Sequence, residues 1–207
     1  MSTLSELVAL VAADLQDPDH LTWSAEDHTN NIRRALAQYT TLNPHRASAL
    51  LDAVLGQREY DIAALGALSI MDLWHPYDPD APAHPPQRPP FSLLSQDTLY
   101  IEGDALPSGG KLRLFYLAQH TISGLDGAAA TTLDAAGEEL IVLLATASAA
   151  MQRCQAAIGK VTVTGWTPQQ LLAWAGARQA DAARAWDALR QRLALSGDAR
   201  VSWDIPA

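Results

Sequence analysis

The sequence predicts an α+β protein, a mainly helical core of about four helices with a small antiparallel β-sheet inserted between them. Three observations carry this expectation. Apolar residues recur at helical spacing near both ends of the chain. Short runs with a period of two, or rich in β-branched residues, fill the middle. Proline- and glycine-rich punctuation separates those runs. The chain reads as a single domain, residues 1–207, with its helical core at 1–47 and 131–195. The β insertion occupies 48–130 with a Pro-rich loop at 76–90, and a C-terminal tail follows at 196–207.

The first helix is expected from about Thr3 to Gln16, because Leu4, Leu7, Val8, Val11 and Leu15 form one stripe before Asp17-Pro18 ends the pattern. Ser24 with Asp27 three residues on gives an N-terminal capping box, with Trp23 just before it. The helix it opens runs to about Leu42, with Ile32, Leu36 and Tyr39 inward, and stops before Asn43-Pro44. The runs "REYDI", "LSIMDLW", "DTLYI" and "KLRLFYL" are expected strands; Leu112, Leu114, Tyr116 and Ala118 share one face of the last. "YDPDAPAHPPQRPP" holds six prolines and suits neither a central strand nor a helix interior. It is expected to be an arm that contacts a neighbour rather than its own sheet. "PSGGKL" fits a hairpin turn at Pro107 and Gly109-Gly110; it lacks the spacing of a phosphate loop and leads into a strand.

Thr131 or Thr132 is expected to cap a third helix that is apolar nearly all round and rich in alanine. Its small-residue surface from Thr132 to Ile158 exceeds what one core obviously needs. Thr167, Pro168 and Gln170 mark the start of a fourth, running to about Leu195 with Leu171, Ala175, Ala182, Ala185, Leu189 and Leu193 inward.

Composition excludes several functions. With 14 Lys and Arg against 23 Asp and Glu, the net charge is −9, which disfavours tight binding to nucleic-acid phosphates. Cys154, the single cysteine, leaves no intramolecular disulfide and no multi-cysteine zinc site, and reads as a small buried thiol. The N-terminus lacks the basic region of a signal peptide, and "LIVLLATASAAM" is too short to span a bilayer. The expectation is a soluble protein made inside the cell, without membrane contact.

Catalytic chemistry is sparse. The six histidines, His20, His28, His45, His75, His84 and His120, show no metal-ligand spacing with one another or with a carboxylate on a helix, and no G-x-S-x-G elbow exists. His75 with Asp78 and Asp80 reads as a solvated turn. His120 sits where a strand ends, with Asp126 six residues on between Gly124 and Gly127. One reading makes His120 and Asp126 an acid–base pair. The other makes His120, Gly124, Asp126 and Gly127 a structural joint, the glycines taking conformations closed to other residues. Without a nucleophile or ligand cluster nearby, the joint is favoured. No catalytic, cofactor or metal residue is assigned, and no cofactor is expected.

The ordered series "L-x-x-L-V", "W-S-x-x-D", "GQREYDIAALG", "MDLWHPYD", "KLRLFYLAQHTISGLDGA" and "TTLD" before an Ala-rich helix resembles the neck proteins of tailed phages and prophages, the head-to-tail connector adaptors. The resemblance covers about residues 3 to 195 and is strongest at "HTISGLDGA". It implies a structural virion protein located in the neck, assembled in the host cytoplasm. Such a protein forms a homo-oligomeric ring of about twelve copies, docks on the portal protein, meets a downstream tail or neck protein, and extends a channel through which DNA passes without specific binding. The tail is a possible partner-docking segment through Trp203 and Ile205. Two other classes remain: a bacterial helical protein-interaction module, and a small hydrolase using His120 and Asp126.

Overall fold

In the computed structural model, which describes residues 1–83, 85–103, 110–157 and 167–197, the chain divides into two compact units. One comprises Met1–Asn43 and His120–Ala207, the other Pro44–Gln119. The architecture is mixed α+β, with four α-helices and two three-stranded antiparallel sheets among the described residues. The strand unit starts at Pro44 because residues from His45 onward already pair in a sheet. It ends at Gln119 because the segment after it bonds back to helical residues.

The helical unit contains α1 (Leu4–Asp14), α2 (Ala25–Leu42), α3 (Ala135–Ala157) and α4 (Pro168–Gly197). Capping boxes open α1 and α2. Thr3 accepts from the Glu6 N–H while Glu6 accepts from the Thr3 N–H, and Ser24 and Asp27 do the same. At α4, Thr167 accepts from the Gln170 N–H at 3.3 Å and Gln170 accepts from the Thr167 N–H at 2.9 Å. The cap of α3 differs from the expectation. Asp134 accepts from the Gly137 N–H at 2.8 Å, because the hydroxyls of Thr131 and Thr132 are bonded to the backbone of residues 121–123 instead.

Helix α3 packs against α1, α2 and α4. Leu7, Val11, Ile32, Tyr39, Ile141, Ala145 and Ala149 are almost wholly buried in one cluster, and each large aliphatic side chain there contributes about 1.5–3 kcal/mol. The small faces of α3 are therefore largely filled by helices of the same unit, which removes the excess apolar surface the sequence suggested. Cys154 is buried among them, as expected. A polar cluster sits between α2 and α3: the Asn31 side-chain oxygen accepts from Ser148 at 3.0 Å and Gln152 at 2.9 Å. Trp23 Nε1 donates to the Ala149 carbonyl at 3.2 Å. Such paired groups fix how the two helices align.

The strand unit has β1 (His45–Asp52), β2 (Glu59–Asp61), β3 (Ala67–Tyr77), β4 (Phe91–Ser95), β5 (Thr98–Ile101) and β6 (Lys111–Ala118). Its sheets run β1-β6-β3 and β2-β5-β4. Tyr60, Ile62, Leu73, Leu99, Ile101, Leu112 and Leu114 form its core. On β3 and β6 the Arg113 guanidinium lies 4.9 Å from the ring centres of Tyr77 and Phe115 and 5.7 Å from that of Trp74.

The Pro-rich segment departs from the expected arm. β3 continues through Pro76, and the returning chain bonds to its own unit. Gln87 O accepts from the His75 N–H at 3.1 Å, Pro90 O accepts from the Glu102 N–H at 2.9 Å, and Arg88 pairs with Asp72 at 3.3 Å. Prolines lack a donor but keep their carbonyls, and the residues between them keep both groups. Pro107 and Gly109 of the expected hairpin lie outside the described residues; Gly110 has φ +83°.

Gly137 shows how tightly the helical unit is packed. A Cβ there would lie 2.7 Å from the Tyr39 hydroxyl oxygen and 2.9 Å from the Asp134 carboxylate. Gly137→Ala is expected to destabilise by about 1–3 kcal/mol through overpacking. Gly176→Ala in α4, where no described residue lies within 4 Å of the new methyl, should stabilise by about 0.5–1 kcal/mol. Denaturant titration of both variants reads the difference, and equal shifts would contradict this packing.

Candidate functional site

The segment 120–134 has no repeating backbone pattern, so its polar groups need individual partners once it is packed on helices. Turns within the segment supply some of them, and side chains of α2 and of the segment itself supply others. The His120 N–H donates to Thr40 Oγ1 at 3.3 Å. His120 Nε2 lies 2.8 Å from the Asn43 carbonyl oxygen, so that nitrogen carries the hydrogen. Nδ1 lies 3.1 Å from Thr132 Oγ1. The Tyr39 ring meets the imidazole edge-on, with centroids 5.0 Å apart. His120 is buried and closes the end of α2, where carbonyls lack helical partners.

The remainder of the segment follows the same rule. Thr132 Oγ1 accepts from the Thr121 N–H at 2.9 Å, and Thr131 Oγ1 accepts from the Ser123 N–H at 2.9 Å while donating to the Ser2 carbonyl at 2.6 Å. The Leu4 N–H donates to the Ser123 carbonyl at 2.9 Å, tying the start of α1 to the segment. Ile122, Leu125 and Leu133 are buried beneath. Between them the chain turns through three left-handed residues, Gly124 (φ +87°), Asp126 (φ +51°) and Gly127 (φ +81°).

Asp126 does not bond to His120 in this arrangement. Its two carboxylate oxygens accept from Nε and Nη2 of Arg33 in α2, at 3.0 and 2.7 Å. The hydrogen bonds from Arg33, reinforced by its charge, hold the Asp126 carboxyl below the usual carboxylate range. Both side chains are largely exposed. The structure therefore brings His120 and Asp126 onto one segment but gives each a different partner. Sequence reasoning missed those partners, Thr40, Asn43, Thr132 and Arg33. Asp126 before Gly127 did signal a left-handed turn.

A second buried cluster lies where α1 joins α2. The Asp17 carboxylate accepts from the backbone N–H groups of Leu21, Thr22 and Trp23 at 2.9–3.0 Å. Burial opposes its ionisation, but these three donors outweigh burial and keep Asp17 below its ordinary range. His28 is fully buried, and among the described residues neither ring nitrogen has a hydrogen-bond partner. The His20 ring lies 5.2 Å away and that of Trp23 6.4 Å. Burial first, then the His20 charge, lowers the His28 pKa, against the opposing pull of Asp17 and Asp27.

His75 is buried with Nδ1 3.3 Å from the Lys111 carbonyl, and Asp78 accepts from the Asp80 N–H at 2.9 Å. Among the described residues no group of three or more His, Cys, Asp and Glu is placed to hold a metal ion, and no helix is long and apolar enough to cross a membrane. An open groove of about 770 Å³ runs along α2, α3 and α4, lined by Gln38, Leu144, Met151, Gln152 and Trp186, with Arg34 its one charged described lining residue. Trp203 and Ile205 lie outside the described residues.

No family model matches the chain, and no curated protein matches it. Among solved structures it is similar to a chain in the neck of a native GTA particle computed with C12 symmetry. The identity is 16% over 86% of this chain and 92% of that one, with a TM-score of 0.32. That is a weak likeness to a particle neck, and at this score it carries no weight for function.

Two expectations follow. Gly124→Val should destabilise by about 1–3 kcal/mol because a β-branched residue is strained at positive φ, whereas Asp126→Asn, a residue that tolerates this conformation, should change the melting temperature little. Equal melts for Gly124→Val and the parent chain would show that the left-handed turn is not required.

For His28 the sign is set by a folded pKa below the unfolded value of about 6.5. The unfolded chain then binds the extra proton first, so stability is complete above that pH and falls as pH drops through it. Asp17 acts in a separate, more acidic window, its contribution being lost only as pH falls through the carboxylate range. Thermal melts from about pH 7.5 to 5.5 should show a decline that His28→Leu flattens; parallel declines in both proteins would contradict this.

Proposed function

We propose that this chain is a structural virion protein, a head-to-tail adaptor of a phage or prophage neck. It assembles as a ring of about twelve copies beneath the portal, extends the DNA channel and receives a downstream tail or neck protein. The single observation that carries this reading is the ordered motif series centred on "HTISGLDGA", followed by "TTLD" before an Ala-rich helix. The bonding around that series supports a structural role for its residues: His120 closes the end of α2 and Asp126 pairs with Arg33. We take His120, Gly124, Asp126 and Gly127 as a joint that holds the helical unit's non-repetitive segment in place. A hydrolase would need the imidazole and the carboxylate to act together, and here they are spent on different partners.

The net charge of −9 fits a passage for DNA, since acidic walls offer no counterion release to reward sticking. Assembly would take place in the host cytoplasm before the ring joins the virion neck. Trp203 and Ile205 are proposed to dock on the portal or on an adjacent subunit, an indole anchor being a common source of interface energy.

The test is reconstitution with a portal ring. Full-length protein should be retained by immobilised portal and should add a ring-shaped layer in negative-stain images. Truncation after Gly197 should weaken retention without lowering the melting temperature. His120→Ala should lower the melting temperature. A stable chain with no affinity for portal would favour the helical interaction module, and a hydrolytic activity lost in folded His120→Ala would favour the enzyme.

A further inference from the structure

The edges of the two sheets are treated unequally. β3 is blunted by three register shifts, by Pro76, and by the return of Gln87 and Arg88 along it. β2 has three residues, and β4 has five with a register shift of its own. These are the ordinary means of keeping sheet edges from pairing. β1 has none of them. Its eight residues keep an unbroken register with β6 and include neither proline nor lysine, and among the described residues no strand pairs with its other side.

The direction of its backbone groups follows from one bond. The Ala53 N–H donates to the Gly110 carbonyl at 2.8 Å, continuing the β1–β6 register. In an antiparallel ladder such residues alternate with ones whose N–H and C=O point the other way. Ala47, Ala49 and Leu51 therefore face β6 with their backbone groups, and Arg46, Ser48, Leu50 and Asp52 present theirs at the open edge. The same four residues have exposed side chains.

We propose that this edge pairs antiparallel with β1 of a second copy of the chain, centred on Ala49. In that register the hydrogen-bonding partners are Arg46 with Asp52 and Ser48 with Leu50, each occurring twice by symmetry, so every outward N–H and C=O of the four residues finds a partner. The sequence is self-complementary in charge here: each Arg46 meets an Asp52 of the other copy. A shift of two residues breaks that match. The Asp52 side chain already accepts from Lys111 Nζ at 2.7 Å through one oxygen, and its 84% exposure leaves the other open. An exposed pair of this kind adds little strength, so its role is to select the register, while the backbone ladder supplies the adhesion. Leu50, 48% exposed, would lie beside Ser48 and diagonally against the other Leu50. The result is one six-stranded sheet, β3-β6-β1-β1-β6-β3. The contact is isologous and closes on two copies, so it stands independently of any ring.

Sedimentation of the full-length protein over a concentration series should show a reversible monomer–dimer equilibrium. Ser48→Pro removes an outward donor that bonds to no described residue of the fold; it should leave the melting temperature close to that of the parent and abolish the dimer. Arg46→Glu should weaken the dimer severalfold by setting a second carboxylate against Asp52 of the other copy. In a Cys154→Ala background, Ala49→Cys should give a covalent dimer under mild oxidation, since central residues of such a pair lie about 4.5 Å apart at Cα, within disulfide reach; Ala47→Cys should not. A chain that stays monomeric and gives no Ala49→Cys cross-link would overturn the proposal. So would a dimer that survives Ser48→Pro, or one that Arg46→Glu leaves unchanged.

Discussion

The hydrogen bond between His120 Nε2 and the Asn43 carbonyl joins the residue at which the chain leaves the helical unit to the residue at which it returns. A helix end leaves carbonyls without partners, and an irregular segment packed beside it leaves N–H groups without them. Around His120 these two deficits cancel. The imidazole serves α2, Thr40 serves the His120 N–H, and the Thr131 and Thr132 hydroxyls serve the segment's own backbone. Ile122, Leu125 and Leu133 can be buried beneath the segment only because its polar groups are satisfied in this way.

The same accounting explains why residues with catalytic potential do not form a catalytic group. His120 has a donor nitrogen spent on a carbonyl, and Asp126 has both oxygens on a guanidinium. An acid–base pair needs a proton path between its members and a place for a substrate. Among the described residues lining the groove along α2, α3 and α4, Arg34 is the one charged side chain, and the others are glutamines, hydroxyls and apolar groups.

Local signals in the sequence translated well into structure. Ser24 and Thr167 each cap a helix through contacts three residues apart, so the pattern and the bond are the same fact, and Thr3, expected as the first residue of its helix, is its cap in the same way. The inward stripes of α1, α2 and α4 were legible for a similar reason. β1 was not, because "HRASALLD" alternates in exposure without alternating in hydropathy: Ala47 and Ala49 are small, and Leu50 is on the open face. β4 and the return of the Pro-rich chain were hidden too, since backbone carbonyls between prolines leave no mark in composition. Around His120 the residue types were visible but their partners were not. Thr40, Asn43 and Arg33 lie far from it or from Asp126 in sequence, and only packing brings them together. The left-handed turn at Asp126-Gly127 was readable because few residue pairs take that shape.

The clamp at Asn43 and His120 has a consequence for how such a chain can diversify. Because both ends of the strand unit are pinned by groups that belong to the helices, the stretch between them behaves as a cassette. A flexible loop joining two already adjacent anchors loses little more entropy as it lengthens. Strands could be added, trimmed or exchanged between those anchors while the helical framework kept its bonding, letting one scaffold present different surfaces to different neighbours.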